Sequence, residues 1–417
     1  MRSAVIILAQ GSLGFSASLA RKFMQREIAP VLFVDEPSLY KYRSSGAELF
    51  SYNRGSLTKD LEVAVKEVRD GYELKAIVNQ VDRLTFPYLN LLLRESIHVD
   101  MIDGILNSRI KARMREMLIR NDLSEVAFKR CLDSMQIREG VKDIGYPCVL
   151  KPTAGSGSRN VFKLTSDADL EKFLDVVDLS QESMWVDVQG ENYDVRNEYL
   201  VEQYVQGREY TIDGFVRNGD TVIVAIHQKV GGMEGFGFRD DFYISPPMNL
   251  TPDELKTIET LVKSVIRFLG LDESLFHVEV KVSDNSKVEV IEVNPRLGGG
   301  TIRQNIINLT NVDLLDILVD IHCGVSPDVC FERLVNVVFG CGVLAQKTGT
   351  IRGISGLDEV RAHAQVTHVD VIHDIGDTVE GSFGEVYPVV VNGTCHSQEE
   401  AIALRDEIIS TINVEID

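Results

Sequence analysis

Residues 288–300 read V-E-V-I-E-V-N-P-R-L-G-G-G. Valine and isoleucine alternating with polar residues predict a strand, in which every second side chain shares a face. Glu292, Asn294 and Arg296 therefore line one edge. A hard divalent cation takes such oxygens and fills its shell with phosphate oxygens. A guanidinium offers a planar fork to the same phosphates. Behind Pro295, the run Gly298, Gly299, Gly300 can bare backbone N–H groups to a carboxylate or phosphate. Acids at alternate strand positions also describe a solvated face, but a solvated face has no need of this ending.

The preceding strand carries F-H-V-E-V-K-V at 276–282, and the turn-forming S-D-N-S joins it to the first stretch. If the two strands pair, Glu279, Glu292 and Asn294 converge on one cation. His277 has the same parity as Glu279 and can face the site and touch substrate. For His277 and His227 alike, a satisfied structural histidine is the plainer reading.

Two further stretches lie upstream. V-L-K-P-T-A-G-S-G-S-R-N-V at 149–161 places Lys151 at the end of a buried strand, before a loop of small residues including Ser156, Gly157 and Ser158. Such a loop lets amides approach phosphate, and the lysine adds a point charge. It is not a Walker A loop, because the lysine precedes the glycines. Y-L-V-E-Q-Y-V-Q-G-R-E-Y at 199–210 ends a strand in Glu202 and sets Glu209 beyond Gly207. Each stretch has a bland alternative, an ordinary turn or a pair of surface acids.

In this order the stretches resemble the successive signatures of the ATP-grasp superfamily. The likeness covers 105–310 most closely. The tail, with G-T-I-R-G-I-S-G at 349–356 and Glu400-Ala401, is similar to the last domain of its carboxylate–amine ligases, most of all the L-amino acid ligases. The resemblance implies an ATP-grasp fold of mixed α/β and α+β class. It also implies residue roles. Lys111 (in register competition with Arg109 and Arg113) and Lys151 would hold phosphates, and loop 153–158 would close over them. Glu202 would meet the adenine amino group, with backbone of Gln203 and Val205 along the purine edge, and Glu209 would hold the ribose. Glu279, Glu292 and Asn294 would bind Mg²⁺, or Mn²⁺ in its place. Arg296 would stabilise the transferred phosphoryl group, and Gly298–Gly300 would seat the carboxylate being phosphorylated. The implied reaction joins a carboxylate and an amine, amino acids in the nearest branch, through an acyl phosphate, releasing ADP and phosphate. Two other readings stay open: an enzyme that activates bicarbonate, and an ATP-binding protein without turnover. A dimer is common in the family.

Composition narrows the classes. A net charge of -20 argues against a surface built for nucleic acid or anionic membrane. The six cysteines form no C-x-x-C pair and fit reduced thiols in a cytoplasmic protein. No run of about 18 apolar residues predicts a membrane span. Ser3–Ala9 reads as a buried strand rather than a leader.

The chain is expected to divide into a parallel α/β unit at 1–105, an ATP-grasp domain at 106–333 with a lid subdomain at 140–205, and a small α+β unit at 334–417. The turn 9–14 with Asp35 imitates a dinucleotide fingerprint but lacks its first glycine. Helices are expected at 108–121, 252–269 and 397–412, and an unstructured loop at 185–197. The glycine-rich stretch 230–247 is expected to be a mobile lid, whose Arg239, Asp240 and Asp241 are candidates for reading substrate charge.

Overall fold

The computed structural model describes residues 1–9, 13–53, 57–231, 233–234, 237–327, 331–381 and 386–417. The chain forms two compact units. In the first, four parallel strands run in the order Glu48–Tyr52, Ala29–Asp35, Arg2–Ala9, Tyr72–Asn79. Ala4 to Ala9 and Val31 to Val34 are fully buried, as continuous apolar runs require when both faces are covered. Strand Glu48–Tyr52 has an irregular burial pattern and escaped the sequence reading. Of the turn expected at 9–14, residues 10–12 lie outside those described, and the helix Leu13–Gln25 takes in the rest beyond Ala9.

Among the described residues the second unit contains five antiparallel sheets, of which one of four strands and one of eight carry the residues considered below. The smaller runs Phe128–Cys131, Tyr199–Gln203, Cys148–Pro152, Phe162–Leu164. The larger has eight strands and begins at Val288–Asn294, followed by Ser274–Val282, Arg208–Arg217 and Asp220–Lys229. These four are called here the edge, histidine, aspartate and lysine strands. Helix Pro252–Leu269 packs on this sheet. Its start carries a complete capping box between Thr251 and Glu254, with Pro252 in the first turn and Gly270 in the left-handed conformation at its end. Ile258, Val262, Val265 and Ile266 on that helix are fully buried.

The division of the chain differs from the expected three parts. The segment beginning at Asp313, with helix Leu314–His322, belongs to the first unit. The C-terminal residues do not fold apart, because Val337–Val343 pairs with Phe242–Ser245 and so extends the large sheet. Hydrogen bonds across a strand boundary make one sheet of what the change in sequence pattern suggested were two domains.

Three local expectations are also corrected. Stretch 185–197 contains the hairpin Trp185–Val188 with Glu191–Asp194 rather than a loop. The helix expected at 108–121 breaks at Ile110 into Ile102–Arg109 and Lys111–Arg120. Within 230–247, the described residues include the strand Phe242–Ser245 and the short pair Met233–Glu234 with Phe238–Arg239. Backbone pairing thus replaces much of the expected open lid. Among the described residues, no helix is long and apolar enough to cross a membrane.

Candidate active site

The register of the four strands builds one polar face. Asn294 stands opposite His277, and Glu292 opposite Glu279. His277 is in turn opposite Asp213, Glu279 opposite Thr211, and Lys281 opposite Glu209. Thr211 is opposite His227. Cross-strand partners point to the same side, so all these polar groups share one face. The intervening residues, Val293, Val278 and Ile212, are fully buried. Period two turns an ordinary amphipathic sheet into a polar floor over an apolar core.

Carboxylates on this floor are neutralised by lysines. Lys111 Nζ lies 3.0 Å from Glu292 Oε1 and donates to the Gly155 carbonyl at 3.1 Å. Burial lowers the Lys111 pKa, and Glu292 opposes that. Lys229, 7% exposed at its side chain, contacts Glu209, Asp240 at 2.7 Å and Glu279 at 3.1 Å. Burial disfavours its charge, yet these three acids hold its pKa well above the usual lysine range. Burial likewise works against ionised Glu279, but Lys229 and His277 hold it well below the usual carboxylate range. Burial raises the pKa of Glu209, with Lys229 opposing. One ammonium therefore links the acid expected at the ribose, an acid expected at the metal, and the lid segment.

The small sheet supplies the second group. Lys151 Nζ pairs with Glu202 Oε2 at 2.6 Å, and Arg115 Nε with Glu202 Oε1 at 3.2 Å. Arg115 also donates to the Val290 carbonyl at 3.0 Å, tying this sheet to the edge strand. Burial pushes the Glu202 carboxyl up, but the two cations outweigh it and hold it at about 2. Thr153 fixes the break at Ile110, because its carbonyl accepts from the Lys111 amide at 2.8 Å and its hydroxyl from the Ala112 amide at 3.3 Å. The Gly155 carbonyl gathers Arg109 as well as Lys111. The loop beyond it, with Ser156, turns through left-handed residues at Gly157, Ser158 and Asn160.

Several expected roles look different here. Of the competing cations, Lys111 reaches Glu292, whereas Arg113 turns to Asn107 and Gln189. Both oxygens of Glu202 are held by Arg115 and Lys151, so in this state it joins two cations rather than offering an oxygen to an amine. The Gln203 amide is spent on the Ala127 carbonyl, and half-buried Val205 follows. Arg296 Nη1 donates to the Leu297 carbonyl at 2.9 Å. The Gly298 amide donates to Asp213 Oδ1 at 3.2 Å, so it is not bare; Gly299 and Gly300 are exposed. Asp240 and Asp241 pair with Lys229 and Arg405 rather than standing open to substrate. The Arg239 side chain is outside the described residues.

Sequence reading missed Lys229, Arg115 and Asp213. Parity along their strands or helix could have put Lys229 and Asp213 on the polar face, but nothing local singles out a lone lysine or aspartate. His277 faces Asp213 Oδ1 at 2.9 Å through Nδ1 and Glu279 at 3.5 Å through Nε2. His227 is fully buried, and burial lowers its pKa to about 4.

The residues present fit a divalent cation. Glu279 and Glu292 face one another across paired strands. The Asn294 Oδ1 beside them is buried and has no hydrogen-bond partner among the described residues, which a role as metal ligand would explain. Lys111 and Lys229 occupy the two carboxylates as internal counter-ions. Among the described residues no three His, Cys, Asp or Glu side chains form a metal cluster. Two carboxylates and an amide oxygen leave a shell for substrate phosphates to complete, which is the usual manner for Mg²⁺.

Residues 144–304 match the ATP-grasp domain family. The alanine–anticapsin ligase of Bacillus amyloliquefaciens is 25% identical over 272 residues, spanning 62% of this chain and 56% of its own length. The chain thus matches little more than half of that relative. The crystal structure of an L-amino acid ligase from Bacillus licheniformis superposes over 100% of both chains with a TM-score of 0.83 at 19% identity. The biotin carboxylase domain of the Hydrogenobacter thermophilus 2-oxoglutarate carboxylase, in complexes with MgADP, ADP and bicarbonate, gives 0.74 at 17% identity, covering 99% of this chain and 91% of that one. The fold is the ATP-grasp fold.

Proposed function

We propose that this chain, an enzyme carrying an ATP-grasp domain, is an ATP-dependent ligase that joins a carboxylate to an amine, with amino acids as substrates. The observation that carries the reading is the meeting of Lys111 with Glu292 at 3.0 Å, beside Lys151, Glu279 and Asn294. Cations for a polyphosphate and oxygens for a metal there share one polar edge. The named relative joins alanine to anticapsin, and its similarity favours amino acids over bicarbonate.

Bound Mg²⁺ would neutralise phosphate charge and help orient the phosphoryl group. Glu279, Glu292 and Asn294 would hold it, the two carboxylates released from Lys229 and Lys111. Lys111 and Lys151 would then turn to the phosphates of ATP. Loop 153–158 would cover them, and Arg296 would meet the charge on the moving phosphoryl group. The substrate carboxylate attacks the γ-phosphorus and displaces ADP. The amine nitrogen then attacks the acyl carbon, loses a proton and displaces phosphate. No protein nucleophile is required; the chain contributes position and electrostatics.

The test is phosphate release from ATP and Mg²⁺ with pools of L-amino acids, followed by mass spectrometry of the products. An amide product supports the reading. Turnover with bicarbonate but with no amino-acid pair, or nucleotide binding without turnover on any acceptor, overturns it.

A further inference from the structure

Asp213 is a carboxylate that the proposed chemistry does not use. It lies near the middle of the aspartate strand and is completely buried. Its Oδ1 accepts two hydrogen bonds, from His277 Nδ1 at 2.9 Å and from the Gly298 amide at 3.2 Å. A carboxylate oxygen can only accept, so Nδ1 carries the proton and Nε2 is directed toward Glu279, 3.5 Å away. Packing reinforces the bonds. A Cβ on Gly298 would stand 2.7 Å from His277 Nδ1 and 2.8 Å from Asp213 Oδ1, so only glycine lets the loop approach so closely. Oδ2 of Asp213 is buried, has no hydrogen-bond partner among the described residues, and faces His227 Nδ1 at 3.9 Å.

We propose that Asp213 is a positioning residue for the phosphoryl-accepting carboxylate: one oxygen fixes the His277 ring and the start of the glycine loop as a single unit. The ring thus sets Nε2 beside Glu279, an expected metal ligand, while the loop presents Gly299 and Gly300 to the substrate group. Asp213 touches no substrate and acts through the two groups it holds. This rests on the ligase reading for the identity of the substrate group, but the coupling of ring and loop does not.

Two measurements test it. In amino-acid-dependent phosphate release, Asp213→Ala should lower kcat by about 100-fold while KM for ATP stays within about threefold. Asp213→Asn, which keeps an accepting oxygen, should recover about tenfold of that loss. Added to His277→Ala, Asp213→Ala should cost less than it does alone, because the ring is already gone and only the hold on the loop remains to be lost. Gly298→Ala should reproduce the kcat loss even if Asp213→Ala does not fold. An Asp213→Ala enzyme with wild-type kcat, or full additivity with His277→Ala, overturns the proposal. Hydrogen exchange at the Gly298 amide is the second measurement: slow in wild type, fast in Asp213→Ala or, should that variant not fold, accelerated less in Asp213→Asn. Equal rates overturn the coupling. If the wild type releases no phosphate with amino acids, the ligase reading falls and the exchange result decides the coupling by itself.

Discussion

Lys111 Nζ lies 3.0 Å from Glu292 Oε1, so a lysine from the first turn of a helix closes on the edge strand of the large sheet. The lysine side chain is 4% exposed and the glutamate 20%. A cation so deeply buried needs its partner, and the partner is also an expected metal ligand. Under the proposed function, binding of Mg²⁺ and ATP has to offset this internal ion pair.

Glu292→Ala should lose Mg²⁺-dependent turnover and also lower stability by about 3 kcal/mol, because it strands the Lys111 ammonium. Glu292→Gln keeps an accepting oxygen and should be less destabilised while still inactive. Urea unfolding and phosphate release measure the two effects separately. Near-normal turnover in either variant would refute the metal assignment.

Lys229→Met leaves Glu209, Asp240 and Glu279 without their shared cation. The expected loss is about 3–5 kcal/mol in metal-free buffer. Mg²⁺ should raise the melting temperature of this variant more than that of wild type, since the ion can take over Glu279. Equal shifts would mean that Glu279 does not meet the metal.

Glu202 sets an acid limb. Its folded pKa of about 2 lies below the ordinary 4.5. The stabilisation is complete above pH 4.5 and is lost as pH falls toward 2, amounting to about 3 kcal/mol. Unfolding free energies measured between pH 5 and 2 should fall less steeply in Glu202→Gln than in wild type. An unchanged slope would show that Arg115 and Lys151 do not hold the carboxylate as described.

Arg296→Lys should cut kcat by about tenfold or more with little change in ATP affinity, because an ammonium cannot copy the planar fork. Matching kcat values in the two enzymes would remove Arg296 from phosphoryl stabilisation.

Much of the site was legible because its parts are local. Strand parity put Glu292 and Asn294 on one face and His277 and Glu279 on another strand's matching face. The capping box at Thr251 and Glu254 located its helix to the residue. The readings that changed all depended on distant partners. Glu202 reads as an open acid until Arg115, 87 positions away, closes on it. Gly298 reads as a bare amide until Asp213, 85 positions away, accepts its hydrogen. The tail reads as a separate domain until Val337–Val343 joins the sheet through Phe242–Ser245.

The sequence by itself determined which side chains share a face, where strands end, and that acids, lysines and glycines follow in the order of an ATP-grasp site. These are properties of period two and of short-range backbone chemistry. Only the tertiary structure decided that Lys111 rather than Arg113 reaches Glu292, that Lys229 joins three acids, and that one oxygen of Asp213 holds both ring and loop. Register between strands and the closure of long chain segments set those contacts, and a burial deep enough to make each charge need a partner is a property of the packed whole.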